Sequence, residues 1–324
     1  MPDPTLLVTL GPDALSDAAL EAIRDAASGY RVVRSPGADS LGNAEVVLGS
    51  FPRAALADAP RLRWAQSWSA GVDWLLEADD DTELPAGLVL TTASGVHPVA
   101  IAEHVLAVLL AFARDLPAWF DAQRERRWGR AEEPDRDRTF ELAGRRMTLL
   151  GVGEVGSRIA HVAHALGVHV TAVRHHPDDA DVEGVDHTVG DDGLLDVLPA
   201  TDLLVITLPL TDATRGLVGA GEIAALPDHA VVVNVGRGEV VDQGALTSAL
   251  AGGRLGGAAL DVFETEPLPD DSPLWGLDNV IVTPHAAGYT PHYAGRALAL
   301  FLDNWGRYRR GEPLENVVDL GAGY

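Results

Sequence analysis

Cysteine and lysine are both missing from this 324-residue chain, and its 24 basic residues are all arginine. The first absence excludes disulfides and thiol chemistry. Positive charge is scarce as well, since 48 acidic side chains leave a formal net charge of −24. Such a surface repels phosphodiester backbones and excludes nucleic acid as a partner. No apolar run reaches the roughly 18 residues of a spanning helix, and no basic segment leads into a hydrophobic one at the N-terminus. The expectation is a soluble, cytoplasmic protein with no membrane partner. The acidity has two readings: a plain solubilising surface, or adaptation to a salt-rich (halophilic) interior where counterions relieve self-repulsion.

What is present suits an α/β protein of two domains: 47% hydrophobic residues, frequent glycine, and strands alternating with helical patterns. Residues 6–10, 30–34, 45–48, 62–66 and 88–92 read as strands, with a helix over 16–27. This alternation predicts a small parallel-sheet unit. The stretch Ser67-Trp-Ser-Ala-Gly-Val-Asp73 is a glycine-containing turn leading into a helix over 74–78. Its N–H groups could hold a carboxylate, or it is an ordinary strand-to-helix turn. Pro98 opens a long apolar helix reaching Arg114, and residues 124–138 read as a charged surface excursion.

The chain's central feature is residues 147–159, a buried strand, a tight glycine turn and a helix. Gly151, Gly153 and Gly156 stand at G-x-G-x-x-G spacing. The first allows the turn, the second close approach of a pyrophosphate, and the third packing of helix on strand. Residues 168–173 form the next strand, and further strands follow at 201–210, 230–238, 256–261 and 279–285, with a last helix over 293–310.

Ligands of open parallel sheets bind beyond the carboxyl ends of the strands. Three chemically capable side chains stand there: Arg237 after a valine-rich strand, Glu266, and His285 after Thr283-Pro284. Together they make an acid–base set with an anion anchor. Taken singly, each has a plainer reading as a surface charge, a solvated carboxylate or a packed imidazole. His161 and His164 share a helix face at metal-ligand spacing, but without a third ligand no metal site is expected. His97 and His104 adjoin the long helix from Pro98, where they read as packing residues, with His97 a candidate to line the cleft.

Five segments carry a family resemblance: Gly151-Val-Gly-Glu-Val-Gly156, Leu208-Pro-Leu-Thr211 with Thr214, Asn234-Val-Gly-Arg-Gly238, Leu260-Asp-Val-Phe-Glu-Thr-Glu-Pro267 and Thr283-Pro-His285. In this order they make the chain resemble the D-isomer-specific 2-hydroxyacid dehydrogenase family over nearly its whole length. The resemblance implies a Rossmann-type dinucleotide-binding domain, residues 96–288, inserted into a flavodoxin-like, discontinuous substrate domain, residues 1–95 and 289–324. It further implies a homodimer. Hydride transfer needs a dry, aligned pocket, so domain closure is expected, with candidate hinges near Gly95 and Gly288.

Roles carry over by the same resemblance. Arg237 would hold the carboxylate and carbonyl of a 2-oxo or 2-hydroxy acid. His285 would give the proton to the carbonyl oxygen, and Glu266 would orient the imidazole and favour its protonated form. Ser69, Ala70, Gly71 and Val72 match the family's carboxylate-binding loop. Glu154 and Val155 would meet the pyrophosphate, and Val235, Gly236 and Asp261 the nicotinamide end. Leu208, Pro209, Thr214, Ala287 and Gly288 complete the cofactor set.

One position departs from the NAD pattern: the end of the second nucleotide-domain strand carries Arg174, then His175 and His176, instead of an acidic residue. An arginine there can pair with a 2′-phosphate, so NADP(H) is expected over NAD(H), which stays possible. The expected activity is an NADP-dependent D-2-hydroxyacid dehydrogenase, with glyoxylate or hydroxypyruvate reduction as the alternative. Phosphoglycerate oxidation is disfavoured because no regulatory domain follows the core. A nucleotide-sensing corepressor is the reading from a different class.

Overall fold

A computed structural model describes residues 3–37, 40–72, 84–128, 139–177 and 181–319. The helix expected over 74–78 and most of the 124–138 excursion lie outside these residues. The chain divides into two units, Met1–Val96 with Thr290–Tyr324, and His97–Tyr289.

The first unit is built on five parallel strands, β1 (Thr5–Val8), β2 (Arg31–Arg34), β3 (Val46–Gly49), β4 (Trp64–Ser67) and β5 (Val89–Thr91). Their order is β2-β1-β3-β4-β5, the flavodoxin-like arrangement. Successive side chains of a strand point to opposite faces, and here both faces are apolar. Leu6, Val8, Val46 and Leu48 feed one core, while Leu7, Val47, Ala65 and Leu90 feed the other. The Asp17–Ala26 helix, capped by the Ser16 side chain, and the Tyr293–Arg310 helix cover the first core. The latter helix ties the chain's end to this unit by stacking Phe301 on Trp64, with ring centroids 5.3 Å apart.

The second unit carries seven parallel strands: β6 (Arg146–Leu150), β7 (His169–Val173), β8 (His187–Val189), β9 (Leu203–Ile206), β10 (Val231–Asn234), β11 (Gly257–Leu260) and β12 (Val280–Val282). The order β12-β11-β10-β9-β6-β7-β8 reverses direction between β6 and β9. That reversal is the topological switch point of a doubly wound nucleotide fold, beside which ligands bind. Met147, Leu149, Val205 and Val233 face one core with the Pro98–Ala113 and Glu154–Ala165 helices. Leu150, Leu204, Ile206 and Val232 face the other. Each such side chain stabilises the fold by about 1.5–3 kcal/mol on burial.

The strands are shorter than the apolar runs suggest, because the last residues of several runs turn into the loops that carry function. The structure also adds elements absent from the sequence reading: β8 and the helices Leu116–Arg124, Ala220–Ala225 and Gln243–Ala251. β8 is three residues long with exposed positions, so it has no apolar signature. No helix among the described residues is long and apolar enough to cross a membrane.

Candidate active site

At the carboxyl end of β6, Gly151 adopts φ +89°, which a side chain would strain. A Cβ on Gly156 would lie 2.1 Å from the Gly151 carbonyl oxygen, so the helix can start this close to the strand only with glycine there. A Cβ on Gly153 would meet nothing within 4 Å, which leaves open space over the turn. The Glu154–Ala165 helix that follows has no side-chain N-cap, so its first N–H groups face that space. A dinucleotide's pyrophosphate fits this cradle. Thr207 braces the turn by donating its hydroxyl to the Gly151 carbonyl at 2.9 Å. Beside it, Pro209 and Thr214 close a turn through the Thr214 hydroxyl, which donates to the Pro209 carbonyl at 2.6 Å.

The acid–base candidates come from three neighbouring strands, β10, β11 and β12. At the end of β10, Asn234 shapes the turn: its Nδ2 donates to the Arg237 carbonyl at 2.9 Å, and the Gly236 N–H donates to its Oδ1 at 3.1 Å. A Cβ on Gly236 would lie 2.6 Å from the Leu208 carbonyl oxygen, and one on Gly238 only 1.9 Å from the Phe263 carbonyl carbon. The arginine loop is therefore pressed against the β9 and β11 loops on either side. Arg237 itself is half-buried, with Nη1 donating to the Gly236 carbonyl at 2.8 Å.

His285 Nδ1 stands 2.8 Å from Glu266 Oε2, and the Phe263 N–H donates to Glu266 Oε1 at 3.0 Å. A carboxylate can only accept, so Nδ1 carries the proton of that bond. His285 has φ +51°, a left-handed conformation that costs a non-glycine residue about 1–3 kcal/mol unless its surroundings hold it. Here the holder is Asp261. The backbone carbonyl of Asp261 accepts the His285 N–H at 2.8 Å, Oδ1 the Ala286 N–H at 2.8 Å, and Oδ2 the Ala287 N–H at 2.9 Å. Three consecutive amides thus converge on one residue that is 2% exposed. Thr283 adds its hydroxyl to Oδ1 at 2.5 Å, with His104 Nε2 3.5 Å from the same hydroxyl. Burial pushes the His104 imidazole down, and the Asp261 charge offsets only part of that.

Other expected residues have definite places. Arg174 directly follows β7, its N–H donating to the Val189 carbonyl at 3.1 Å, with His175 and His176 next. His97 Nδ1 is 3.0 Å from the Gly288 carbonyl, and a Cβ on Gly288 would meet that ring at 2.7 Å. Gly95 has φ +86°. Ser69, Ala70, Gly71 and Val72 belong to the first unit, after β4, where the Gly71 N–H donates to Ser69 Oγ at 3.3 Å. There Tyr293 donates its hydroxyl to the Trp68 carbonyl. Among the described residues no group of three or more His, Cys, Asp or Glu could hold a metal ion. His161 and His164 instead face Glu183 and Asp186.

The turn-shaping role of Asn234, the Thr283 hydroxyl bond and the holding role of Asp261 are absent from the sequence reading, which has the first two only as motif positions. An Asn ending a buried strand before glycine was the available signal for the first. A groove of about 610 Å³, lined by Phe112, Phe140, Arg145, Asp202, His229 and Leu277 among others, opens at the amino ends of the strands. It lies at the edge opposite this chemistry. There burial raises the Asp202 carboxyl, but the Arg146 N–H, His229 and Arg145 outweigh it and hold it below the usual range.

Residues 106–287 match the family model of the D-isomer specific 2-hydroxyacid dehydrogenase NAD-binding domain. A glyoxylate reductase of Aeropyrum pernix is 35% identical over 272 residues, 82% of this chain and 78% of that protein. Glyoxylate/hydroxypyruvate reductase B of Pectobacterium carotovorum is 35% identical over 286 residues, 86% of this chain and 87% of its own. Among solved structures, a D-isomer specific 2-hydroxyacid dehydrogenase from Xanthobacter autotrophicus, in complex with NADPH and MES, superposes with TM-score 0.84. It is 34% identical, with 99% of this chain and 100% of that one covered. An NADPH-dependent glyoxylate/hydroxypyruvate reductase from Sinorhizobium meliloti, in complex with NADP and sulfate, gives TM-score 0.82 at 30% identity, covering 99% and 100%.

Proposed function

This chain belongs to the D-isomer specific 2-hydroxyacid dehydrogenase family of NAD(P)-dependent oxidoreductases, and we propose that it is an NADPH-dependent reductase of small 2-oxoacids. The observation that carries the reading is the His285–Glu266 pair at 2.8 Å, formed between the Asp261-clamped loop after β12 and the loop after β11, with the Arg237 loop following the next strand, β10. Arg237 binds the substrate's carboxylate and carbonyl with its planar guanidinium fork. His285, held at Nδ1 by Glu266, delivers a proton from Nε2 to the carbonyl oxygen. When bound, the nicotinamide would supply the hydride to C2. Gly151, Gly153, Glu154, Val155 and Gly156 would hold the pyrophosphate, and Leu208, Pro209 and Thr214 would line the adjoining wall. Val235, Gly236, Asp261, Ala287 and Gly288 would surround the nicotinamide end. In the first unit the Ser69 to Val72 turn serves as the carboxylate loop.

Arg174 supports the preference for NADPH, since a guanidinium after β7 pairs with a 2′-phosphate where a carboxylate would repel it. Glyoxylate and hydroxypyruvate are the favoured substrates, because relatives named for those reactions cover most of this chain. The test is turnover of a panel of 2-oxoacids with NADPH and with NADH. Reduction of glyoxylate or hydroxypyruvate, faster with NADPH, is expected. His285→Ala should lose at least about 100-fold in kcat, as general acids contribute, while still binding NADPH. No turnover on the whole panel, or near-normal turnover of His285→Ala, would refute the reading.

A further inference from the structure

The carboxyl ends of β7 and β8 lie side by side, because the Arg174 N–H donates to the Val189 carbonyl at 3.1 Å. After Val189 the chain passes through Gly190 into a short turn, Asp191–Gly193. This turn sets Asp191 against the basic run Arg174-His175-His176. Asp191 Oδ2 is 2.8 Å from His175 Nδ1. The His176 ring also packs edge-on against His175, with centroids 4.7 Å apart.

This pair contributes little to stability. The side chains of His175 and Asp191 are 80% and 53% exposed, and an ion pair so exposed is worth little. What it does is fix a direction. The carboxylate accepts from Nδ1–H, which leaves Nε2 as the free corner of the ring. His175 is the residue that follows Arg174, the group assigned to the 2′-phosphate above.

We propose that Asp191 is a specificity-determining positioning residue, holding His175 so that its Nε2–H joins Arg174 in binding the nucleotide's 2′-phosphate. A ring protonated on both nitrogens donates to the carboxylate on one side and the phosphate on the other. Asp191 touches no nucleotide and acts only through His175. A bare carboxylate at that edge would repel the phosphate; capped by the imidazole, it orients the donor. NADH, lacking the phosphate, makes no use of the arrangement. The inference rests on the NADPH preference proposed above and adds the residue that tunes it.

Fluorescence titration with NADPH and with NADH tests it, taking the ratio of the two dissociation constants as the readout. A loss of overall fold would weaken both nucleotides and leave that ratio unmoved. Asp191→Ala, which removes the acceptor, is expected to lower the preference for NADPH about 3- to 10-fold, the worth of one well-placed hydrogen bond. His175→Ala should lower it at least as much. In the His175→Ala background, Asp191→Ala should cause no further loss. An Asp191→Ala protein whose preference for NADPH is unchanged or increased overturns the proposal, the increase meaning that Asp191 merely repels phosphate. The parent protein and Arg174→Ala separate the two levels. If the parent binds NADPH no more tightly than NADH, the NADPH reading itself falls. If Arg174→Ala collapses the ratio while the Asp191 and His175 variants do not, only this inference falls.

Discussion

Asp261→Asn exchanges one oxygen for an NH2 group at a position that is 2% exposed and saturated with donors. Oδ1 accepts from Thr283 and Ala286, and Oδ2 accepts from Ala287. With the amide oxygen in the Oδ1 place, the NH2 group faces the Ala287 N–H, donor against donor. With the amide reversed it faces two donors, which is worse. The better orientation still leaves one buried N–H unpaired, at about 1–3 kcal/mol. It also takes the charge from the remaining bonds, which roughly halves their strength. The expected loss is about 2–4 kcal/mol of stability. The damage falls on the loop that keeps His285 at φ +51°, so the imidazole loses its aim. A displacement of about 1 Å can cost roughly 100-fold in rate. Urea unfolding and steady-state kinetics on the same preparation give both numbers. A variant whose unfolding free energy stays within about 0.5 kcal/mol of the parent, with unchanged kcat, would refute the holding role of Asp261.

Gly156→Ala places a methyl 2.1 Å from the Gly151 carbonyl oxygen, backbone against which nothing can rotate away. Stability should fall by at least about 1–3 kcal/mol and NADPH affinity should fall with it, by urea unfolding and fluorescence titration. His104 gives a pH-dependent stability. Burial holds its imidazole below the ordinary value of 6.5, so the unfolded chain takes up a proton there at higher pH than the native chain does. Its contribution is complete above the ordinary value and is lost as pH falls through the depressed one. His104→Gln should flatten that acid-side slope in melting curves; an unchanged slope would remove His104 as its source. With a net charge of −24, the melting temperature should rise from dilute to molar KCl as self-repulsion is screened. Unchanged melting would favour the plain solubilising reading.

Arg237, Glu266 and His285 were legible because each sits just past a recognisable apolar strand, where a parallel sheet presents its ligands. What holds them was not. Asp261 reads in sequence as one more polar residue after a strand, and nothing in its spacing announces that it will collect the amides of His285, Ala286 and Ala287. That depends on β11 and β12 pairing in register, Leu260 opposite Val282. The register brings the first loop residue of one strand level with the start of the other's loop. Chain order alone made it reasonable that β10, β11 and β12 would be neighbours, since right-handed crossovers place successive strands side by side. Chain order does not say which carboxyl faces which N–H. The same limit hid Asp191, which lies 16 residues from His175 and reaches it through β8, a strand too short and too exposed to show a pattern. In this chain the groups assigned to chemistry announce themselves by type and position, while the groups that aim them depend on strand register, which the one-dimensional pattern does not carry.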